Sequence, residues 1–98
     1  MSKLSITTKS VPLGPAQITP GEILEQEFLL PRGISQSQLA EKMQVDRMRV
    51  SEIIRGERAI TADTALRLAD VFGTTPRFWL GLQIDHDLAK AALKHRRL

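Results

Sequence analysis

Two short helical patterns meet within residues 36–53 with almost no chain between them, and this junction constrains the fold more than any other feature of the sequence. Their apolar positions recur at helical spacing: Leu39, Ala40 and Met43 in the first pattern, then Val50, Ile53 and Ile54 in the second. Ala40 is small where a second helix must cross closely, and Val45 is apolar at the turn, where it can fill the angle. The two helices are therefore predicted to cross, not to lie side by side as parallel neighbours.

The outward face of the second helix carries long or polar side chains that the apolar pattern leaves unburied. These are Arg47, Met48, Arg49, Ser51, Glu52 and Arg55. Two short helices joined at an angle by a tight turn form a helix-turn-helix, and in DNA-binding proteins of this kind the second helix enters the major groove. The face is therefore a candidate DNA-reading surface. On charge alone a solvated helix face would look similar, since residues 42–58 hold five cations against three anions.

The motif and its flanks resemble a known family. The matching motif residues are Gln36, Leu39, Ala40, Val45, Val50, Ile53 and Gly56, which resemble the helix-turn-helix of phage repressors and Cro, the Xre class. The flanking segments TPGEIL at 19–24 and TPRFWLGLQ at 75–83 are similar to those of HigA-type antitoxins from bacterial toxin–antitoxin operons. The resemblance covers roughly residues 19–83. It implies an all-α, five-helix, lambda-repressor-like DNA-binding domain with a short C-terminal helical extension.

Gln44 departs from the repressor pattern, which usually has glycine at this point of the turn. If this residue adopts a positive φ, its side chain costs about 1 kcal/mol relative to glycine. The sequence therefore leaves the geometry of the turn less well defined than the two helices on either side of it.

Polar caps, prolines and glycines mark where the predicted helices begin and end. Thr19 with Glu22, and Ser35 with Gln38, have the capping-box spacing, and Pro20 suits the first helical position. The other predicted N-caps are Asp46, Thr61 and Thr75, and the predicted stops are Pro31, Gly33, Gly56 and Gly73. The carboxylate of Asp46 is expected to accept hydrogen bonds from backbone N–H groups in the first turn of its helix.

These signals divide the chain into three segments. Residues 1–18 show no helical or strand period and are predicted to form a mobile N-terminal arm, either a docking arm or a simple tail. Residues 19–84 are predicted to form the DNA-binding domain, with the helix-turn-helix at about 36–55 and the fifth helix as dimer interface. Residues 85–98 are predicted to form a C-terminal helical extension in which acidic residues precede basic ones, as the helix dipole favours.

The second helix of the motif supplies the predicted base contacts, which are Arg47, Met48, Arg49, Ser51 and Glu52. An arginine can pair with guanine O6 and N7. Met48 can contact a thymine methyl or, equally, fold onto the core. Glu52 can accept from cytosine or orient Arg49 or Arg55. The predicted phosphate contacts are Arg55 and Arg58, which follow the reading turns, and Gln36, whose role is implied by the repressor resemblance.

The segment after Pro76 is apolar nearly all round, more than one helix needs to pack on four short ones. This surplus predicts a homodimer interface that contains Phe78, Trp79, Leu82 and Ile84. A two-fold dimer would bind double-stranded DNA at a palindromic operator whose half-sites lie about 34 to 36 Å apart. The resemblance to HigA implies a second partner, a HigB-type mRNA-cleaving toxin, and repression of the chain's own operon. Toxin contact would then use the arm, the first helix or the C-terminal segment.

No catalytic or metal-binding pattern is present in the sequence. There is no cysteine, and His86 and His95 lack the spacing of a metal site or of a nucleophile with its base. We therefore expect no enzyme activity, no metal and no cofactor, and we expect a cytoplasmic protein that does not enter the membrane. The net charge of +3 permits nucleic-acid binding without proving it. The alternatives are a stand-alone Xre-type transcription regulator without a toxin and a protein-interaction module that no longer binds DNA.

Overall fold

The structure is a computed structural model that describes residues 18–96, and these residues form five helices. Helix α1 has three consecutive parts, α-helical Pro20–Ile23, π-helical Leu24–Leu29 and α-helical Leu30–Arg32. The others are α2 (Gln36–Met43), α3 (Arg47–Ile54), α4 (Ala62–Phe72) and α5 (Pro76–Arg96). The predicted all-α, five-helix fold is confirmed, and residues 18–96 contain no strand. The predicted mobile arm lies outside the described residues, apart from Ile18.

Both predicted capping boxes are present. Thr19 Oγ1 accepts from the Glu22 backbone N–H at 3.1 Å, while the Glu22 carboxylate accepts from the Thr19 N–H at 3.0 Å. Ser35 and Gln38 repeat this exchange at 3.1 and 2.8 Å. Each box satisfies two backbone donors that the helix itself leaves unpaired. The starts of α1 and α2 that local sequence predicted are therefore confirmed.

The cap of α3 differs from the prediction. Asp46 is the N-cap residue and its backbone is extended, as expected, but its side chain makes no capping hydrogen bond. The predicted contact between the Asp46 carboxylate and the first turn is therefore wrong. The first turn of α3 is closed by the backbone alone, since the Arg49 N–H donates to the Asp46 carbonyl at 3.0 Å.

Pro31 does not end α1, which continues to Arg32 before Gly33 closes it with φ +64°. A proline inside a helix cannot donate to the carbonyl four residues earlier, and its ring crowds that carbonyl. Here the preceding turns are widened into a π-helix. The Arg32 Nη1 group lies 3.4 Å from the Glu27 carbonyl oxygen and 3.2 Å from that of Phe28. A side chain thus supplies the donor that Pro31 lacks.

The turn between α2 and α3 is built on a left-handed residue. Gln44 has φ +60° and is the one non-glycine residue with positive φ among residues 18–96. The Val45 N–H donates to the Ala40 carbonyl at 3.0 Å and the Gln44 N–H to the Glu41 carbonyl at 3.1 Å. This pair of hydrogen bonds is the Schellman motif. Gln44 therefore occupies a conformation that favours glycine, and Val45 packs half-buried against the core as predicted.

The core lies where α2, α3, α4 and the first half of α5 meet beneath α1. Its buried apolar residues are Leu24, Leu29, Leu39, Ala40, Met43, Val50, Ile53, Ile60, Ala65, Leu68, Ala69 and Trp79. Phe28 of α1 joins the core through aromatic contacts, with ring centroids 4.8 Å from Trp79 and 5.1 Å from Phe72. The buried indole N–H of Trp79 donates to Thr74 Oγ1 at 2.6 Å. The aromatic cluster thus joins α1 to α4 and α5.

Helix α1 also touches the end of α3, at Gly21. A Cβ atom at residue 21 would lie 1.9 Å from the carbonyl oxygen of Ile53. Any side chain there would push the two backbones apart. Glycine at this position therefore permits the first turn of α1 to pack directly on the last turn of α3.

Helix α5 runs without interruption from Pro76 to Arg96, so the predicted C-terminal extension is continuous with the fifth helix. It is held to the loop after α3 by Gln83, whose side-chain oxygen accepts from the Ile60 N–H at 2.8 Å. Within residues 18–96 no helix combines the length and the apolar character that a membrane crossing requires.

Replacing Gln44 by glycine should raise the free energy of unfolding by about 1 kcal/mol, because glycine adopts positive φ without a Cβ clash. Urea unfolding followed by circular dichroism measures the change. Lys42→Gly is the matched control, since Lys42 is exposed in the last turn of α2. It should lower the free energy of unfolding by about 1 kcal/mol. Destabilisation by both substitutions would show that the turn does not strain Gln44.

Candidate nucleic-acid interface

The packing of α3 decides which of its side chains can reach a ligand. Val50 and Ile53 face the core and are buried, while Arg47 and Met48 are exposed. Met48 keeps 59% of its surface accessible. Met48 therefore does not fold onto the core, and the geometry leaves it available for the other predicted role, contact with a thymine methyl group. The N-terminal half of α3 presents a long cation and a flexible apolar side chain next to each other.

Arg47 differs from the other arginines of this surface because its side chain has no ion pair or hydrogen bond with any of residues 18–96. Its guanidinium group projects from the first residue of α3 with all of its donors available. An arginine in this state can form the paired hydrogen bonds that guanine offers in the major groove. Arg47, unlike Arg49, can therefore reach DNA without breaking an ion pair.

Arg49, two residues further on, is bonded to an acid on α4. Its Nη1 lies 2.8 Å from Asp63 Oδ2, and Arg67 Nε lies 3.0 Å from the same oxygen. Hydrogen bonds from Arg49 and then Arg67 lower the pKa of Asp63 below its ordinary value. Asp63 and Arg67 were not among the predicted site residues. No local pattern marks them, because the contact joins residues that are 14 positions apart.

The remaining polar residues of α3 are also engaged within the chain. Arg55 donates to both carboxylate oxygens of Glu57, at 3.1 and 2.9 Å, and to Ser51 Oγ. The Arg55 hydrogen bond lowers the pKa of Glu57, and Glu57 in turn raises the pKa of Arg55. Ser51 therefore contributes to holding Arg55.

Glu52 pairs with Arg58, whose Nε and Nη2 lie 2.8 and 2.7 Å from Glu52 Oε1. The prediction that Glu52 orients Arg49 or Arg55 is wrong in this structure. The physical reason is that the chain turns back at Gly56, with φ +76°. This turn brings Arg58 onto the side of α3, whereas Arg55 finds Glu57 after the turn.

Three of the four arginines on this surface are thus paired with carboxylates. Exposed ion pairs of this kind contribute only about 0–1 kcal/mol each, so a phosphate or a base edge can compete for the same donors. Gln36, the predicted phosphate contact on the other helix, is the first residue of α2 and is half-buried. Backbone N–H groups of a first helical turn are partly unused by the helix. These features suit contact with an anionic backbone, and the individual contacts remain predictions.

The predicted dimer residues lie in different environments. Trp79 has no exposed surface, because Phe28, Phe72 and Phe78 surround it. The prediction that Trp79 contacts a second subunit is therefore wrong. Phe78 and Ile84 are 40% and 55% exposed, and Leu82 is half-buried.

Two further exposed apolar residues of α5, Leu88 and Leu93, were missed by the sequence reasoning. Leu88 is 64% exposed and lies one helical turn after Ile84. Its spacing from Ile84 could have identified it, since i and i+4 share a helix face. The exposed apolar surface of α5 therefore lies further toward the C-terminus than predicted.

A family model described as helix-turn-helix matches residues 26–79, which is more than half of the chain. The matched range contains α2, α3 and α4 completely and the part of α1 that carries Phe28. It ends at Trp79. The motif residues from Gln36 to Gly56 thus lie in the matched range, whereas the flanking segment 19–24 and residues 80–83 lie outside it.

Relatives in sequence include a virulence-associated protein and an antitoxin. Virulence-associated protein I of Dichelobacter nodosus is 46% identical over 85 residues, covering 84% of this chain and 79% of that protein. Antitoxin HigA-1 of Vibrio cholerae is 46% identical over 71 residues, covering 72% and 67%. Other relatives are named only as HTH-type transcriptional regulators, and the chain spans 64% and 62% of two of them.

The fold matches a solved complex. The Pseudomonas aeruginosa antitoxin HigA with the higBA promoter superposes with a TM-score of 0.78 at 41% identity. The match covers 82% of this chain and 87% of that one. That neighbour is a protein bound to promoter DNA.

Since α3 is predicted to read DNA, Arg47→Ala should weaken binding to a specific site by about 1–3 kcal/mol and binding to random DNA far less. The reason is that a guanine contact carries sequence information, whereas a phosphate contact does not. Fluorescence anisotropy with DNA from upstream of the gene and with scrambled DNA measures both. Arg77→Ala, which removes an exposed arginine from the start of α5, is the control. Equal losses on the two DNAs would assign Arg47 to phosphate.

Proposed function

Because this chain belongs to the helix-turn-helix family and counts HigA antitoxins among its relatives, we propose that it is a DNA-binding antitoxin that represses its own operon. Its proposed toxin is a HigB-type, mRNA-cleaving protein. The observation that carries the DNA-binding part is the outward face of α3. There Arg47 and Met48 are exposed while the opposite face is buried. The likeness to an antitoxin with its promoter supports the same assignment.

In the proposed complex α3 lies in the major groove with its first turn on the base edges. Arg47 pairs with a guanine, and Met48 packs on a thymine methyl group. Arg49 is the second reading arginine. Arg55, Arg58 and Gln36 bind phosphates and thereby set the register of the helix on the duplex. Ser51 and Glu52 act mainly through the arginines that they hold.

One such unit contacts too little DNA to specify a genomic site, so we propose a homodimer on a palindromic operator. The proposed interface is the exposed apolar face of α5. It contains Phe78, Leu82, Ile84 and Leu88, of which the last two lie on one face of the helix. Burial of these side chains would remove apolar surface from water that the isolated chain leaves exposed.

Toxin neutralisation requires a surface that the DNA does not occupy. The outer face of α1 is suitable in its chemistry, because Glu22 and Glu27 are exposed there and Leu30 is 61% exposed. An acidic surface with apolar positions suits a basic nucleic-acid-cleaving partner. These roles need only binding surfaces, so we further propose that the chain is not an enzyme and acts in the cytoplasm with its DNA.

A stand-alone transcription regulator is the second candidate, since several relatives are named only as regulators. It shares the DNA surface and lacks the toxin. Co-purification of this chain with a small basic protein encoded beside it distinguishes the two. A protein-interaction module without DNA binding is the third candidate, and the uncompensated charge of Arg47 argues against it.

An anisotropy titration tests the operator proposal. The protein is titrated into DNA from its own upstream region and into scrambled DNA, at two salt concentrations. We expect a preference of about 10³ or more for the upstream DNA and saturation at two chains per site. Ile84→Glu, which places a charge on the proposed dimer face, should weaken the specific complex and leave α3 intact. Equal weak binding to both DNAs that disappears with salt would refute specific recognition.

A further inference from the structure

A chain of contacts connects Arg49 to the backbone of the turn that joins α2 and α3. Arg49 Nη1 donates to Asp63 Oδ2 at 2.8 Å, and Arg67 Nε donates to the same oxygen at 3.0 Å. Arg67 Nη1 then donates to the carbonyl of Met43 at 2.8 Å. Met43 is the last residue of α2, where helix carbonyls have no partner within the helix. These contacts thus fix the position of the Arg49 guanidinium group relative to the turn that sets the angle of α3.

We propose that Asp63 is a positioning residue that gives Arg49 its DNA specificity, an inference that rests on the operator binding proposed above. The Asp63 carboxylate holds one terminal nitrogen of the guanidinium group, so the other nitrogens keep a defined direction. An arginine loses rotamer freedom when it is ordered on a target. An arginine whose side chain is already held by a carboxylate loses less rotamer freedom when it binds a base edge that lies in its direction. The same arginine adapts less well to phosphates in arbitrary positions.

The charge of Asp63 acts in the same direction as its geometry. Affinity for random DNA comes almost entirely from cations that replace the counterions of phosphates. A carboxylate bonded to Arg49 cancels part of that attraction wherever the protein lies on DNA. At the operator, the contact of Arg49 with a base adds to affinity and offsets this loss. The negative charge of Asp63 therefore lowers the affinity for random sites more than the affinity for the operator. The expected result is a larger ratio between specific and random affinity.

The test is Asp63→Asn, which keeps the shape of the side chain and removes its charge. Anisotropy titrations use DNA from the upstream region and scrambled DNA of the same length, over a series of salt concentrations. Affinity for scrambled DNA should rise several-fold, and the ratio of upstream to scrambled affinity should fall about tenfold. The dependence of log K on log salt for scrambled DNA should steepen by about one. Asp63 is exposed, and thermal unfolding establishes that the variant is folded.

Glu57→Gln is the matched control. Glu57 is also an exposed acid that pairs with an arginine of this surface, but its partner Arg55 is assigned to phosphate. Its removal should change the affinity for both DNAs by the same factor and leave their ratio unchanged. A ratio that falls equally in Asp63→Asn and Glu57→Gln would overturn the positioning role and leave only a loss of negative charge.

A double-mutant cycle with Arg49→Ala decides whether Asp63 acts through Arg49. In the Arg49→Ala background, Asp63→Asn should no longer alter the affinity ratio. An equal fall in the ratio with and without Arg49 would overturn the inference. If the unsubstituted protein prefers its upstream DNA, an unchanged ratio of upstream to scrambled affinity in Asp63→Asn would also overturn the inference. Absence of that preference in the unsubstituted protein would instead overturn the operator binding on which the inference rests.

Discussion

The first turn of α1 packs so closely on the last turn of α3 that residue 21 has no room for a side chain. A Cβ there would lie 1.9 Å from the Ile53 carbonyl oxygen. The same helix carries Phe28 into the aromatic cluster with Phe72 and Trp79, so α1 connects the end of α3 to α4 and α5. The direction in which α3 faces is therefore set by packing on its buried side. The side chains on its exposed side are not needed for this packing and are therefore available for binding.

The electrostatics of the exposed side follow from where its acids lie. Glu57 and Glu52 each pair with one arginine, and Asp63 pairs with two, Arg49 and Arg67. These pairs are exposed enough to be exchanged for contacts with DNA at small cost. Arg47 alone keeps an uncompensated charge among the four arginines of this surface. A surface of this kind attracts random DNA weakly for its number of cations. Specific binding by such a surface would depend on the fit of particular side chains to base edges, as the proposed recognition of an operator requires.

Local sequence predicted the helices well, because capping boxes and stop glycines act over three or four residues. For Gln44 the sequence raised a positive φ only as a condition, from its place in the motif, and the structure gives it φ +60°. The burial of Trp79 within its own chain was not predicted, since an apolar helix pattern does not reveal whether α1 or a second subunit covers the side chain. The pairing of Arg49 with Asp63 was beyond reach for a similar reason. It depends on how α4 packs on α3, which no spacing in the sequence encodes.

The most direct test of this account is a map of amide chemical shifts in the ¹⁵N-labelled protein, recorded with and without a duplex from its upstream region. The largest changes should fall in residues 36–55, above all in the first turn of α3 at Arg47 and Met48. Smaller changes are expected near Arg58, and the exposed face of α1 should be unaffected. Changes concentrated on α1 or on the C-terminal half of α5, with α3 unperturbed, would contradict the claim that α3 reads the DNA.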